Sequence, residues 1–340
     1  MKEQKPHRAP SMRDVAHLAG VSAQTVSRAL SDHPNVQPET RQAVKDAAKS
    51  LGYRRNATAR ALVTGKSNMI GVITLSTSSY SRMTLIVGIE REAAARGYSV
   101  TFVSITNLSA RSLEDGLGRL VAQGVDGIIT AIPLQDSSTE VENLLSEVPS
   151  VAIDTPLPAG EQVVGFDQGH AARLAVEHLI ECGHTNIWHV AGPKDWIESE
   201  ARIDGWRRAL EGHQLPVPPE IYGDWSAESG YRAGLILGRM PDATAVFVAS
   251  DEMAFGLIKA VKELGRSVPE DISVVSIDDI ELAAYCAPPL TTVRQPLEEM
   301  GRHAVRHLDA RLGDEEALEP QAKSTFIVPE LIVRSSTAAR

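Results

Sequence analysis

The 340-residue chain predicts an α/β fold carrying a small helical head. Three observations predict it. Residues 11–30 read as two short helices joined by a tight turn. Formal charge divides sharply along the chain: residues 1–66 hold 12 Lys and Arg against 5 Asp and Glu, a balance of +7, and the remainder carries −17. From Met69 onward, short apolar runs alternate with amphipathic stretches that often end in glycine, the pattern of a parallel sheet covered by helices.

In the head, Ser11 caps a first helix, with Asp14 three residues later as in a capping box. Val15, Ala16 and Ala19 form its apolar face, and Gly20 stops it because glycine accepts the left-handed conformation. Ser22 caps the second helix, which Val21, Val26, Ala29 and Leu30 hold against the first. Its remaining face carries Ala23, Gln24, Ser27 and Arg28, small or hydrogen-bonding residues suited to a major groove. A third helix begins near Pro38, turns Val44, Ala47, Ala48 and Leu51 inward, and ends at Gly52. Asn56–Lys66 is a short helical pattern with little to bury, expected to order only against a partner chain or DNA.

The body reads as strand Met69–Thr74, helix Met83–Arg96, strand Tyr98–Ile105, helix Arg111–Gln123 and strand Gly127–Ala131. Strands Val151–Ile153 and Val163–Phe166 follow. The alternation then resumes with helix Ala171–Cys182, strand Ile187–Ala191 and helix Ala201–Glu211. Strand Ala245–Ala249, helix Met253–Leu264 and strand Ile272–Ile277 complete it. Two lobes with a cleft between them are expected, and ligands in such folds sit beyond the carboxyl ends of strands.

Composition narrows the class. At 43% hydrophobic residues the chain can bury a sizeable core, and two cysteines make neither a disulfide framework nor a zinc site. No apolar run approaches a membrane span, and none follows the polar start Met1–Arg8, so no signal peptide and a cytoplasmic location are expected. A basic head suits phosphate neutralisation, and an acidic body stays off the DNA.

Many ordered motifs then resemble the lactose/galactose repressor (LacI/GalR) family of bacterial transcription regulators. In the head they are Asp14-Val15-Ala16 through Gly20-Val21-Ser22, Thr25-Val26-Ser27-Arg28, Leu51-Gly52-Tyr53, and Asn56 to Leu62. In the body they are Glu177-His178-Leu179, Gly183-His184, Ala191-Gly192-Pro193 and Arg202-Ile203-Asp204-Gly205-Trp206. They continue in Gly223-Asp224-Trp225-Ser226-Ala227, Ser250-Asp251-Glu252-Met253-Ala254-Phe255-Gly256, Asp278-Asp279 and Pro288-Pro289 to Gln295. The resemblance implies a homodimer whose heads bind a palindromic operator and whose body resembles periplasmic sugar-binding proteins. It divides the chain into a helix-turn-helix headpiece (1–55), a hinge helix and linker (56–68) and an effector and dimerisation domain (69–340). The lobes are expected over 69–166 with 296–326, and over 167–292 with 327–340. Ser250, where the family commonly has Asn, and Ser276, where it often has Gly, depart from the pattern. The tail Ser335–Arg340 carries no leucine heptads, so no tetramer-forming segment is expected.

Arg28 has the reach for a bidentate contact with guanine, and Gln24 can pair with adenine or bridge two bases. Ala23 offers a methyl group; Ser22, Ser27, Asn35, Thr40 and Asn56 are candidate phosphate or groove contacts. The alternative is a helical hairpin that binds protein. The resemblance also implies that the segment around Ala59 enters the minor groove and wedges Leu62 into a base step. Leu62 is otherwise an ordinary dimer-core leucine.

For a sugar effector, Arg202 can donate to two hydroxyls at once, or serve only as a surface ion pair. Asp278 can accept two hydroxyls, while Asp279 is expected to brace the loop instead. Trp225 offers a ring face to a pyranose, or is a core tryptophan. Asp154 is a sugar contact or a turn residue, and Ser81, Ser250 and Gln295 complete the candidates.

Catalysis finds little footing. No nucleophile elbow, Walker loop or Gly-x-Gly-x-x-Gly occurs, and His303 with His307 lacks the zincin glutamate. No cofactor or metal is expected. The reading is a repressor released from its operator by a small sugar, first a β-galactoside. The alternatives are a sugar-modifying enzyme with a DNA-binding head, or a regulator using another ligand as corepressor.

Overall fold

The computed structural model describes residues 10–53, 65–76, 80–133, 138–154, 162–194, 196–313 and 324–340. The chain divides into a unit ending at Ser67 and a larger unit from Asn68 to Arg340.

The first unit holds α1 (Met12–Ala19), α2 (Ala23–Leu30) and α3 (Pro38–Leu51). Asp14 accepts hydrogen bonds from the Ser11 amide and hydroxyl, both at 2.7 Å, so the box at the head of α1 forms. Gly20 sits at φ 66° after α1, where only a residue without Cβ turns cheaply. Ser22 Oγ accepts from the Thr25 amide at 3.1 Å and starts α2. Val15, Val26, Ala29 and Val44 are completely buried where the three helices meet, with Ala16, Ala47 and Ala48 beside them. The hinge segment, with its predicted contacts Asn56, Ala59 and Leu62, lies outside the described residues.

The second unit contains two six-stranded sheets. The first has the order β11-β5-β4-β3-β1-β2, all parallel. Its strands are β1 (Met69–Leu75), β2 (Ser99–Ile105), β3 (Gly127–Ala131), β4 (Ser150–Ile153), β5 (Gln162–Phe166) and β11 (Ser324–Ile327). The second has the order β12-β10-β9-β8-β6-β7, parallel except where β12 meets β10. Its strands are β6 (Ile187–Ala191), β7 (Ile221–Tyr222), β8 (Ala245–Val248), β9 (Ser273–Asp278), β10 (Thr291–Arg294) and β12 (Glu330–Ile332).

The body helices are α4 (Tyr80–Ala95), α5 (Ala110–Ala122), α6 (Thr139–Ser146), α7 (Gln168–Glu181), α8 (Ile197–Gly212), α9 (Ala227–Leu237), α10 (Asp251–Glu263) and α11 (Leu297–Leu312). The chain leaves the first sheet between β5 and α7, returns between β10 and α11, and leaves again between β11 and β12. Side-chain periodicity explains the main elements: β3 and β4 are buried along their whole length, as strands covered on both faces must be. Trp206 on α8 is fully buried, and its indole N–H reaches the Ile187 carbonyl at 3.1 Å.

Sequence periodicity predicts several helices too short. The helices predicted from Met83, Ala171 and Ala201 begin at Tyr80, Gln168 and Ile197. Their first turns face the space between the sheets and carry polar residues, which hide the apolar period. The sequence reading also left out α6, β7, α9, β10, β11 and β12.

Close helix pairs shape both lobes. On α10, a Cβ at Gly256 would lie 1.8 Å from the Ala227 carbonyl oxygen, and one at Gly230 on α9 would lie 1.9 Å from that of Met253. In the other lobe Gly88 on α4 stands against the Glu298 carbonyl, and Gly301 on α11 against that of Leu85. These glycines let backbone approach backbone and so set where the helix starts, which line the space between the sheets, come to rest.

Candidate functional site

Between the two sheets lies a cavity of about 730 Å³, counted to its open mouth. Its walls come from the carboxyl ends of strands: Ala131 ending β3 and Ile132 after it, Ile153 ending β4 and Asp154 after it, Ser250 after β8, and Asp278 ending β9. The starts of α4, α7, α8, α10 and α11 supply Arg82, Gln168, Glu198, Glu252 and Leu297, and the segments before α9 and α11 supply Trp225 and Gln295. All seven effector candidates named from the sequence line it: Ser81, Asp154, Arg202, Trp225, Ser250, Asp278 and Gln295.

Arg202, in the second turn of α8, is only 4% exposed, which removes the surface ion pair as its role. Its Nε donates to Gln168 Oε1 at 2.9 Å, and Nη1 donates to the Ala249 carbonyl. Burial lowers its pKa, opposed by the carboxyls of Asp278, Glu198, Asp154 and Asp251. A buried guanidinium is tolerable only with such partners. Arg202 also stands 5.4 Å from the Trp225 ring centre.

Asp278 ends β9 at φ 134°, and Asp154 and Trp225 adopt φ values of 63° and 71°. Three cavity residues thus hold a backbone conformation that side chains disfavour. Such strain persists only where surrounding structure enforces it, and it gathers at ligand sites. Burial pushes Asp278 well above the ordinary carboxylate range, against the pull of Arg202. Asp154 accepts from the Phe166 amide at 3.0 Å, yet burial, helped by repulsion from Glu198, drives its pKa up to about 7. Behind the wall, buried Asp251 rises to about 6, although the Ser276 and Thr292 hydroxyls and the Ile280 amide donate to it. A carboxyl that keeps its proton near neutrality can donate one hydrogen bond and accept another. The cavity is therefore equipped to satisfy hydroxyl groups, which need both.

Asp279 stands where the sequence placed it, outside the set of ligand candidates. Its carboxylate takes Arg334 Nη2 at 2.6 Å and Arg294 Nε at 2.8 Å, so it braces the loop. Ser250 caps α10 through the Met253 amide at 3.4 Å while lining the cavity. Trp225 leans on the core of the second lobe. Its ring lies where a Cβ at Gly192 would be, so that residue must be glycine.

Sequence reasoning missed Arg82, Gln168, Trp196 and Glu198, and gave Glu252 no role in binding. Arg82 donates to the Ala131 carbonyl at 2.8 Å, and its guanidinium carbon lies 5.1 Å from the Trp196 ring centre. Glu252, at the start of α10, accepts the Tyr80 amide at 3.1 Å and so ties the starts of α10 and α4 across the cavity. The signal that could have found these residues is position: each follows a strand end or opens a helix.

In the first unit, Ser22, Gln24 and Arg28 are exposed on α2. Ser27 is half-buried, and Ala23 packs partly against the three-helix core, leaving less of its methyl to present. Asn35 is exposed before α3, and Thr40 is half-buried in its first turn. Among the described residues no helix is long and apolar enough to cross a membrane, and no cluster of His, Cys, Asp and Glu is placed to hold a metal.

Comparison with known proteins agrees with both units. Residues 11–56 match the family of bacterial regulatory proteins of the lacI type, and residues 176–337 match the periplasmic binding protein-like domain. The chain is 33% identical over 331 residues to the lactose operon repressor of Escherichia coli K12, covering 96% of this chain and 90% of that one. A crystal structure of the Lac repressor dimer bound to operator and the anti-inducer ONPF superposes with a TM-score of 0.88 at 32% identity, covering 98% of this chain and all of that one. A complex of the transcriptional regulator CelR with cellobiose superposes at 0.71 with 32% identity, covering 96% and 99%. Helical head, two-lobed body and relatives at this identity over nearly the whole length lead to one conclusion: the chain belongs to the LacI family of bacterial transcription regulators.

Proposed function

We propose that this chain is an operator-specific repressor controlled by a neutral sugar that acts as inducer, with a β-galactoside as the first candidate. Residues 1–55 bind DNA through Ser22, Ala23, Gln24, Ser27, Arg28, Asn35 and Thr40; residues 56–68 form the hinge, with Asn56, Ala59 and Leu62 at the minor groove. Residues 69–340 bind the effector and pair two copies of the chain, as the operator-bound Lac repressor is paired. Its work on DNA sets it in the cytoplasm.

The observation that carries the reading is the convergence of the seven candidates on one buried cavity between the sheets. Its chemistry favours a neutral polyol. The lining has two guanidinium groups, Arg82 and Arg202, each already facing cavity carboxyls, so no uncompensated cation remains for a phosphate. Carboxyls, the amides of Gln168 and Gln295 and the hydroxyls of Ser81 and Ser250 offer both senses of hydrogen bond, and indole rings offer an apolar face. Sugar binding then shifts the balance between two arrangements of the lobes, and it must favour the one that holds DNA poorly.

The test is operator binding. A duplex selected by the protein from a random pool is titrated with protein, then with lactose, a thiogalactoside and cellobiose. Release by one of these supports the reading, and tightening by one marks a corepressor instead. A melting temperature that no sugar raises would overturn it, because a ligand at 100 times its Kd adds about 2.7 kcal/mol.

A further inference from the structure

The cavity holds a second group of residues that the seven candidates do not use. Trp196 and Glu198 stand at the start of α8, and Arg82 faces them from α4 in the other lobe. The Arg82 guanidinium carbon lies 5.1 Å from the Trp196 ring centre, which fixes the indole as a panel of the wall. Trp196 and Trp225 adjoin, with ring centres 5.6 Å apart and planes inclined at 60°. Arg202 flanks the second indole as Arg82 flanks the first. The wall is thus two aromatic panels at an angle, each backed by its own guanidinium.

Polar groups on these panels are unsatisfied. Glu198 Oε2 is enclosed and has no hydrogen-bond partner, and neither has Trp225 Nε1. A buried carboxylate oxygen without a donor is costly, and a native structure keeps one where a ligand or water supplies the donor.

We infer that Arg82, Trp196 and Glu198 form a distal subsite for the second ring of a neutral disaccharide. The inference rests on the sugar reading above. Arg202, Asp278 and Trp225 hold one ring. The second ring lays its apolar face on Trp196 and donates a hydroxyl to Glu198 Oε2. Because Arg82 belongs to one lobe and Trp196 with Glu198 to the other, the second ring also bridges the lobes. Length of the sugar, and not only the identity of one ring, is then what the protein reads.

The experiment compares Kd values for lactose, cellobiose and maltose with those for the methyl glycosides of their terminal rings. Calorimetry and tryptophan fluorescence give the binding, on full-length wild type, Trp196→Leu and Glu198→Gln. Wild type should bind one disaccharide at least about tenfold tighter than the matching methyl glycoside. Glu198→Gln, which keeps the shape, should weaken that disaccharide about tenfold and leave the methyl glycoside within about twofold. Trp196→Leu should do the same and remove most of the ligand-induced fluorescence change. Equal weakening of both probes in Glu198→Gln overturns the subsite while leaving the sugar reading standing. Unchanged disaccharide affinity in Glu198→Gln overturns it as well. Failure of every sugar to bind wild type overturns the sugar reading and this inference together.

Discussion

At the scale of single residues, the same side-chain type does different work according to its surroundings. Arg28 is exposed on α2, whereas Arg202 is enclosed among carboxyls. Arg28→Ala should cost about 1–3 kcal/mol of operator binding and relax preference at one position of each half-site. Affinities across a panel of operator variants check this; a uniform loss over all sequences would mark a phosphate contact. Asp154 supplies a second residue-scale prediction. Its folded pKa, near 7, lies above the unfolded value of about 3.9. Below the unfolded value the carboxyl is protonated in both states and its contribution is fully present. Between the two values the unfolded chain releases the proton and the folded chain keeps it, so stability falls as pH rises through 7. Asp154→Asn cannot titrate and still accepts the Phe166 amide. Its stability relative to wild type should therefore rise from about pH 5 to pH 8 in urea unfolding, and a pH-independent difference would refute the shift.

At the scale of elements, close helix crossings decide where the cavity walls stand. Packing α9 on α10 requires Gly230 and Gly256, because each would drive a Cβ into a backbone carbonyl of the other helix. Gly256→Ala must spread the pair. It should destabilise the body by about 1–3 kcal/mol, and by more if the helices cannot part. Gly118 on α5 is the control, since a Cβ there meets nothing within 4 Å. Gly118→Ala should be neutral or add up to about 1 kcal/mol through helix propensity. Chemical denaturation of the two variants makes the comparison, and similar effects would show that the crossing tolerates a methyl. The small residues that allow this packing also explain why α9 escapes sequence reading. Of its buried residues Ser229, Gly230, Ala233, Gly234 and Leu237, only Ala233 and Leu237 are apolar.

At the scale of the whole molecule, Arg202 connects parts that are distant in the chain. Through Gln168 it reaches the segment where the chain passes between lobes, and through Ala249 the carboxyl end of β8. Arg202→Ala should abolish the ligand response and lower body stability by about 1–3 kcal/mol, since Gln168 and the Ala249 carbonyl lose a buried donor. Operator affinity without ligand should stay nearly intact, because the three-helix unit has its own core around Val15, Val26 and Val44. Operator binding titrated with the effective sugar, beside urea unfolding, measures both. A mutant that still responds would remove Arg202 from the effector site, and one that cannot bind DNA would make it a support of the folded or paired state.

Local chemistry determined much of this protein. Ser11, Asp14, Gly20 and Ser22 specify the turn between α1 and α2 because caps and left-handed glycines act within a few residues. Apolar runs such as Gly127–Ala131 specify buried strands, and the rule that ligands gather at strand ends brought Asp154, Arg202, Ser250 and Asp278 to notice. Tertiary structure alone decided the rest. Whether Arg202 is a surface ion pair or a buried donor depends on elements more than 30 residues away, Gln168 and Ala249 among them. Asp279 became a loop brace only when Arg294 and Arg334 arrived on either side. Trp196, Glu198 and Arg82 carry no motif. They form a wall because two helix starts from different lobes face one another, and no local periodicity records which residues a crossing chain brings together.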